Sequence, residues 1–299
     1  MRIREGQMTQ PILTIAIPTY NRAHYLDRQL EWAARSIADR WDQVELIVSD
    51  NGSGDATPEV CARWQQQIGG GQLRVFRHSR NLGLPLNALH CIQQANGQYI
   101  WLVSDDDEIL DHTFEWIFQT VSNQNNGELS LIHLNGALKD KTNKAILGSV
   151  YSFKSDIYEN PGRRLLQECL MQGIFLTGLT CSVYHLRKVQ AALARWPGIR
   201  NNLAFPIFLA GYAAAHGGML VRAAPSIALV DDTTYFRPIW PVIDFYWIPE
   251  VYVKLLEEGY QKEFIRARIL SNLNLLRFIV KFPLQFIKSI GLYLRALRL

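Results

Sequence analysis

Four consecutive acids, Asp105, Asp106, Asp107 and Glu108, follow directly on the apolar residues Ile100, Trp101, Leu102 and Val103, with Ser104 between. Four apolar residues in a row read as a buried strand, so the acids gather at a strand end. Like charges crowded there repel one another unless a cation or a positive partner sits among them. Mg2+ or Mn2+ suits such a place, because these hard cations take carboxylate oxygens and complete their shell with substrate phosphates. A plainer reading also stands at this point: a solvated acidic loop, with Asp111 as the N-cap of a helix beginning at Thr113.

The elements that would position the acids alternate regularly. Residues 13–17 (Leu-Thr-Ile-Ala-Ile) form a short β-branched run ended by Pro18, a first strand. Helical periodicity follows over 25–38, through Leu26, Leu30, Ala33, Ala34 and Ile37. A second strand over 44–48 leads into Ser49, Asp50, Asn51 and Gly52. Thr57 as N-cap, with Pro58 at the first helical position, opens a helix to about residue 68. Glycines at 69–71 break it before a third strand over 73–76. Asn81-Leu-Gly-Leu-Pro85 opens a helix to about Ala95, and Gly97 separates it from the strand ahead of the acids. This alternation predicts βαβ units and a mainly parallel sheet, an α/β fold. Ligands bind such a sheet at the carboxyl ends of its strands. The loops there hold Thr19, Tyr20 and Arg22, then Asp50 and Asn51, then Arg80, Asn81 and Gly83, and finally the acid run. Tyr20 offers a flat face on which a base could stack. Neither G-x-G-x-x-G nor G-x-x-x-x-G-K-[ST] occurs, so a diphosphate would be held by metal rather than by a glycine-rich turn.

With 299 residues, 48% of them hydrophobic and 19% charged, the chain suits one large domain or a domain with a smaller lobe. A net charge of +4 is too small to point to nucleic acid. Cys61, Cys91, Cys169 and Cys181 are scattered without a C-x-x-C pair, which predicts a reduced, cytoplasmic protein. The polar start reads as no secretory signal, and no apolar stretch is long and charge-free enough to span a bilayer. His78, His90, His112 and His133 show no metal-ligand spacing and read as structural.

Four segments together resemble the family 2 glycosyltransferases in order and spacing. They are residues 15–22 (Ile-Ala-Ile-Pro-Thr-Tyr-Asn-Arg), 49–57 (Ser-Asp-Asn-Gly-Ser-Gly-Asp-Ala-Thr), 81–83 (Asn-Leu-Gly) and 95–107 (Ala-Asn-Gly-Gln-Tyr-Ile-Trp-Leu-Val-Ser-Asp-Asp-Asp). The resemblance implies a GT-A nucleotide-diphospho-sugar transferase fold over 11–234, with a donor half to about 125 and an acceptor half beyond it. It implies a nucleoside-diphosphate-sugar donor, a UDP-sugar as first choice, and a divalent Mn2+ or Mg2+. It also implies inverting transfer to a saccharide acceptor, lipid-linked, in surface-polysaccharide assembly. By position it suggests Pro18, Thr19, Tyr20 and Arg22 near the nucleoside and Asp50 with Asn51 at the base. Arg80, Asn81, Gly83 and Asn87 would line the donor. Asp106 would be the principal metal ligand, with Asp105 and Asp107 beside it. Asn87 and the run 101–107 look most like the branch that includes abequosyltransferase-like enzymes.

The second half departs from that pattern. Where many members carry an acidic pair that supplies the base, residues 200–209 read Arg-Asn-Asn-Leu-Ala-Phe-Pro-Ile-Phe-Leu, with no acid. Asp231 and Asp232, after a strand-like run over 226–230, become the candidate bases; a solvated turn is the alternative. Beyond 234, Tyr235, Phe236, Trp240, Phe245, Tyr246 and Trp247 interleave with Pro238, Pro241 and Pro249, which suits a lipid interface or a sugar face. Residues 264–299 hold no Asp or Glu, while Arg266, Arg268, Arg277, Lys281, Lys288, Arg295 and Arg298 recur among Leu, Ile and Phe. Pro283 divides this stretch into two helices. Basic amphipathic helices predict a membrane-surface element over 235–299, at the inner face of the cell membrane. A packed helical lid with a basic outer face is the alternative. The expectation is a membrane-peripheral glycosyltransferase. Its rivals are a non-catalytic scaffold of the same fold and a related nucleotidyltransferase.

Overall fold

The computed structural model describes residues 10–69, 71–123, 128–139, 146–174, 178–228, 238–270 and 282–299. Strands β1 (Leu13–Thr19), β2 (Val44–Asp50), β3 (Leu73–Arg77) and β4 (Tyr99–Leu102) pair in parallel in the order β3-β2-β1-β4. Helices α1 (Ala23–Ile37), α2 (Thr57–Ile68) and α3 (Leu84–Gln94) connect them. Both faces of this half are covered, which is why its strands are unbroken apolar runs. Leu13, Ile15 and Ile17 join one core with Leu26 and Leu30 of α1, while Ala16 turns to the other with Ala88 and Ile92 of α3.

The proline does not end β1. Ala16 accepts from the Val103 N–H, so Pro18, two residues on, faces the same side. The ladder with β4 stops at Ala16 and Leu102, and the missing N–H of Pro18 forfeits no ladder bond. Two helix starts also move. Ala56, not Thr57, precedes α2, because the cap oxygen comes from Asp55 further upstream. His112, not Asp111, precedes α4 (Thr113–Ser122), where the Thr113 hydroxyl donates to the Ser226 carbonyl at 2.8 Å.

Strands β5 (Glu108–Ile109), β6 (Leu129–Lys139), β7 (Ile146–Ser149), β8 (Ile157–Glu159), β9 (Ser182–His185) and β10 (Gly218–Ala228) complete a ten-stranded sheet. Its path continues β4-β9-β6-β10-β5, with β7 beside β6 and β8 beside β10. Strand β9 is antiparallel to both β4 and β6, and β10 is parallel to β6. Hence β3, β2, β1, β4, β6 and β10 all run one way and share a carboxyl edge.

Helices α5 (Arg163–Met171), α6 (Leu186–Arg195) and α7 (Phe205–Ala215) cover the face that α3 covers. The helices Ile248–Leu255 and Lys262–Leu270 add Val251, Tyr252, Leu255, Phe264 and Ile265 to that core, and the last helix, Pro283–Leu297, adds Ala296. Among the described residues no helix is long and apolar enough to cross a membrane.

Candidate active site

Strands β1 and β4 part after Ala16, and the loops beyond them meet across the gap. Thr19 Oγ1 donates to Asp105 Oδ2 at 2.6 Å. The Arg22 guanidinium reaches two acids: Nη1 lies 3.3 Å from Asp105 Oδ1 and donates also to Asp106 Oδ2. Ser104 Oγ donates to the other Asp106 oxygen. Thr180, from the turn before β9, donates to Asp107 Oδ2 at 2.5 Å and accepts the Ser104 N–H at 2.9 Å. Gln29, buried on α1, donates to the Ser104 carbonyl at 3.0 Å. Asp105 is therefore no solvated cap. Burial pushes its carboxyl up to about 6, against the Thr19 hydrogen bond and the Arg22 charge, and the Asp106 charge adds to the rise. Asp106 and Asp107 stay partly exposed, within reach of a ligand.

The neighbouring loop holds Asp50 at the buried end of β2. Its Oδ1 accepts the Ser53 N–H at 2.9 Å and tightens the turn. Oδ2 is buried without a hydrogen-bond donor; Arg77 Nε stands 3.3 Å away, near enough for charge attraction but without hydrogen-bond alignment. An oxygen so placed has acceptor capacity left for a ligand N–H. Tyr20 lies exposed at the end of β1, and Arg80 is exposed on the loop after β3. That loop approaches closely: a Cβ on Gly52 (φ +75) would stand 2.8 Å from the Arg80 carbonyl carbon, so glycine is required there.

Three residues expected along the donor turn out to build the loops. Asn81 Oδ1 accepts from Asn51 Nδ2 at 2.9 Å and from the Gly83 N–H at 2.8 Å, while Asn51 Oδ1 accepts the Leu82 N–H at 2.8 Å. Asn81, Asn51 and Gly83 (φ +87) thus perform turn chemistry that fastens one loop to the other. Asn87 is buried, donates to the Ser49 and Thr19 carbonyls at 2.9 and 3.3 Å, and accepts the Ser49 hydroxyl at 2.7 Å. It holds the ends of β1 and β2 together, its two amide protons given to backbone carbonyls and its oxygen to the Ser49 hydroxyl.

Residues assigned no site role from sequence complete the frame. Asp55 accepts the Ala23 N–H at 3.0 Å and the Thr57 N–H at 3.1 Å, capping α1 and α2 with one carboxylate. Asn21, at φ 53, accepts the Gly54 N–H and gives its own to Ser53 Oγ, both at 2.8 Å. His78 and His90, far apart in sequence, meet with ring centroids 4.6 Å apart, and Ser49 Oγ lies 3.1 Å from His90 Nδ1. A buried Gln in an apolar helix face, as at Gln29, is a signal that sequence offers; Thr180 offers none.

Asp231 and Asp232 lie outside the described residues. The segment where an acid pair was expected is the start of α7, whose Phe205, Pro206, Ile207, Phe208, Leu209 and Ala210 are buried core. Among the described residues no three His, Cys, Asp or Glu side chains gather as a metal site. The donor type nevertheless fits: Asp106, partly exposed with Asp107 adjacent, supplies the hard oxygens that Mg2+ and Mn2+ prefer. Arg22 stands where such a counter-charge is needed.

A family model, Glycosyl transferase family 2, matches residues 14–187. The abequosyltransferase RfbV of Salmonella typhimurium (strain LT2) is 34% identical over 98 residues, 33% of this chain and 29% of that protein. The match therefore spans less than a third of that relative's length. Two solved structures share the fold. S. aureus TarS 1-349 in complex with UDP-GlcNAc gives a TM-score of 0.65 at 16% identity, over 95% of this chain and 81% of that one. The mannosyltransferase PcManGT from Pyrobaculum calidifontis, in complex with GDP-Man and Mn2+, gives 0.57 at 15% identity, over 97% and 76%.

Proposed function

The chain belongs to glycosyl transferase family 2 and has the GT-A fold, and on that premise we propose that it moves a sugar from a nucleoside-diphosphate-sugar to a hydroxyl of a saccharide, with inversion. The observation that carries this reading is Arg22, one cation from the loop after β1 joined to Asp105 and Asp106 beyond β4. The three meet at the carboxyl edge of the sheet, where such folds bind ligands. A diphosphate entering there adds negative charge to an acid cluster, which is tolerable only with added positive charge. Mn2+ or Mg2+, held by Asp106 and Asp107, would neutralise charge on the departing nucleoside diphosphate; the Mn2+ in the mannosyltransferase neighbour supports this.

The chain's own residues do the rest. Arg22, once its acids have another counter-charge, turns its forked donors to the diphosphate. Asp50 Oδ2 takes an N–H of the base, and Tyr20 stacks on it. A pyrimidine suits these two residues, and UDP is the first choice, supported by the UDP-GlcNAc complex of the TarS neighbour. The likeness to the abequosyltransferase supports transfer of a hexose or deoxyhexose. Asp231 or Asp232 takes the proton of the attacking hydroxyl.

Thermal melting with UDP, GDP, CDP or dTDP, each with and without Mn2+, tests the reading. One nucleoside diphosphate should raise the melting temperature only with the metal, by about 2.7 kcal/mol of stability at a hundred times its Kd. No stabilisation by any pair would overturn it. The acid-free start of α7 favours one rival, a scaffold that binds donor without transfer. Donor hydrolysis with Mn2+ separates the two, since a scaffold binds and does not turn over.

A further inference from the structure

The last helix, Pro283–Leu297, leaves five large apolar side chains in solvent: Leu284, Ile287, Ile290, Leu294 and Leu297, each between 39% and 71% exposed. Their spacing of three, three, four and three puts them on one stripe. Ser289 and Ala296 on the opposite side are fully buried, so the helix is seated on the protein and its outer face is the apolar one. Single exposed apolar residues are ordinary; a contiguous stripe marks an interaction surface.

Charge selects the occupant. Lys288, Arg295 and Arg298 are exposed beside the stripe, and residues 264–299 contain no Asp or Glu. A second copy docking by this face would bring two sets of these cations together with no acid on the helix to pair them. An apolar core flanked by cations instead matches a sheet of acyl chains bordered by phosphates. A helix of fifteen residues, about 22 Å long, can lie along that boundary and cannot cross it.

We propose that this face docks on an anionic lipid bilayer, the cytoplasmic leaflet of the cell membrane, with Ile287 and Leu294 at the acyl boundary and the three cations on lipid phosphates. The proposal extends the proposed function by naming the surface where the enzyme meets a lipid-linked acceptor. Its test contains no donor, so it can fail while the transfer reading stands.

The full chain is sedimented with vesicles of phosphatidylcholine alone or with phosphatidylglycerol. Binding should require phosphatidylglycerol and fall steeply with salt. Each cation near the surface contributes about fivefold, so Lys288→Gln with Arg295→Gln and Arg298→Gln should weaken binding about a hundredfold. Ile287→Gln with Leu294→Gln should also release the protein. In Leu294→Trp, indole emission should shift to the blue on anionic vesicles, a readout that holds even if the multiple variants fold poorly. Absence of vesicle binding, equal binding to phosphatidylcholine, or an unshifted Trp would overturn the proposal. So would a lipid-free dimer that Leu294→Gln dissolves, because a second copy would then cover the stripe.

Discussion

The acid loop after β4 and the last helix place their side chains in opposite ways. Around Asp105 the three aspartates are buried or partly buried and answered by donors, one from the loop itself, Ser104, and three from elsewhere: Thr19 of β1, Arg22 beyond it, and Thr180 before β9. Along Pro283–Leu297 apolar groups lie outside, uncovered by any described residue. The acids of the loop are held by partners inside the fold. The helix is open and needs a partner larger than itself. Contacts within the fold account for where the acids sit and leave the exposed stripe without a partner among the described residues.

The sharpest way to break this contrast is Asp106→Asn. Loss of the charge should lower metal-dependent donor turnover by about a hundredfold or more, with the melting temperature kept or raised, because one of several crowded like charges is gone. An unchanged rate removes Asp106 from the site. Asp55→Ala comes next. Two helix caps of about 1 kcal/mol each are lost, so urea unfolding should show roughly 2 kcal/mol of destabilisation at neutral pH. Burial tends to raise the Asp55 carboxyl, but the Thr57 hydroxyl and the Ala23 and Thr57 amides hold it below its ordinary value. That contribution is complete above the unfolded pKa and is lost as pH falls through the lower folded one, so wild type and variant should converge in acid.

Arg22→Gln separates the role of Arg22 from that of the proposed metal. In the absence of donor it should tighten Mn2+ binding several-fold by calorimetry, about 1 kcal/mol, since a competitor for Asp105 and Asp106 has left. With donor present, turnover should fall. Weaker Mn2+ binding would mean that Arg22 helps to hold the metal. The smallest effect belongs to the helix: Leu294→Ser should change unfolding stability by less than about 0.5 kcal/mol. A larger loss would place that side chain in the core.

The two regions also differ in how far sequence discloses them. The parallel half is legible because both faces of β1, β2 and β4 are buried, which writes continuous apolar runs ending in polar loops. Asp50 and Asp105 stand where those runs stop. Their partners are not legible: Thr180 reaches Asp107 across 73 positions, and no local pattern announces a hydroxyl that meets its acid only after β9 inserts between β4 and β6. Pro18 misleads for a related reason. Whether a proline ends a strand depends on the neighbour's length, and β4 happens to leave first. Asn87, expected along the donor, is buried and bonded to carbonyls at two strand ends, a placement no local pattern announces.

Thr180 carries a consequence for the order of events. Its hydroxyl has a single proton, given to Asp107, and its oxygen receives the Ser104 amide, so one rotor joins the acid loop to the turn that starts β9. A cation that takes Asp107 Oδ2 would compete with that proton for its acceptor. The turn before β9, in the half expected to receive the acceptor sugar, would then respond to a cation brought by the donor. On the proposed function, the expected outcome is compulsory-order addition, donor first. Steady-state inhibition by the released nucleoside diphosphate should then be competitive against the donor and noncompetitive against the acceptor, and Thr180→Val should relax that order toward random.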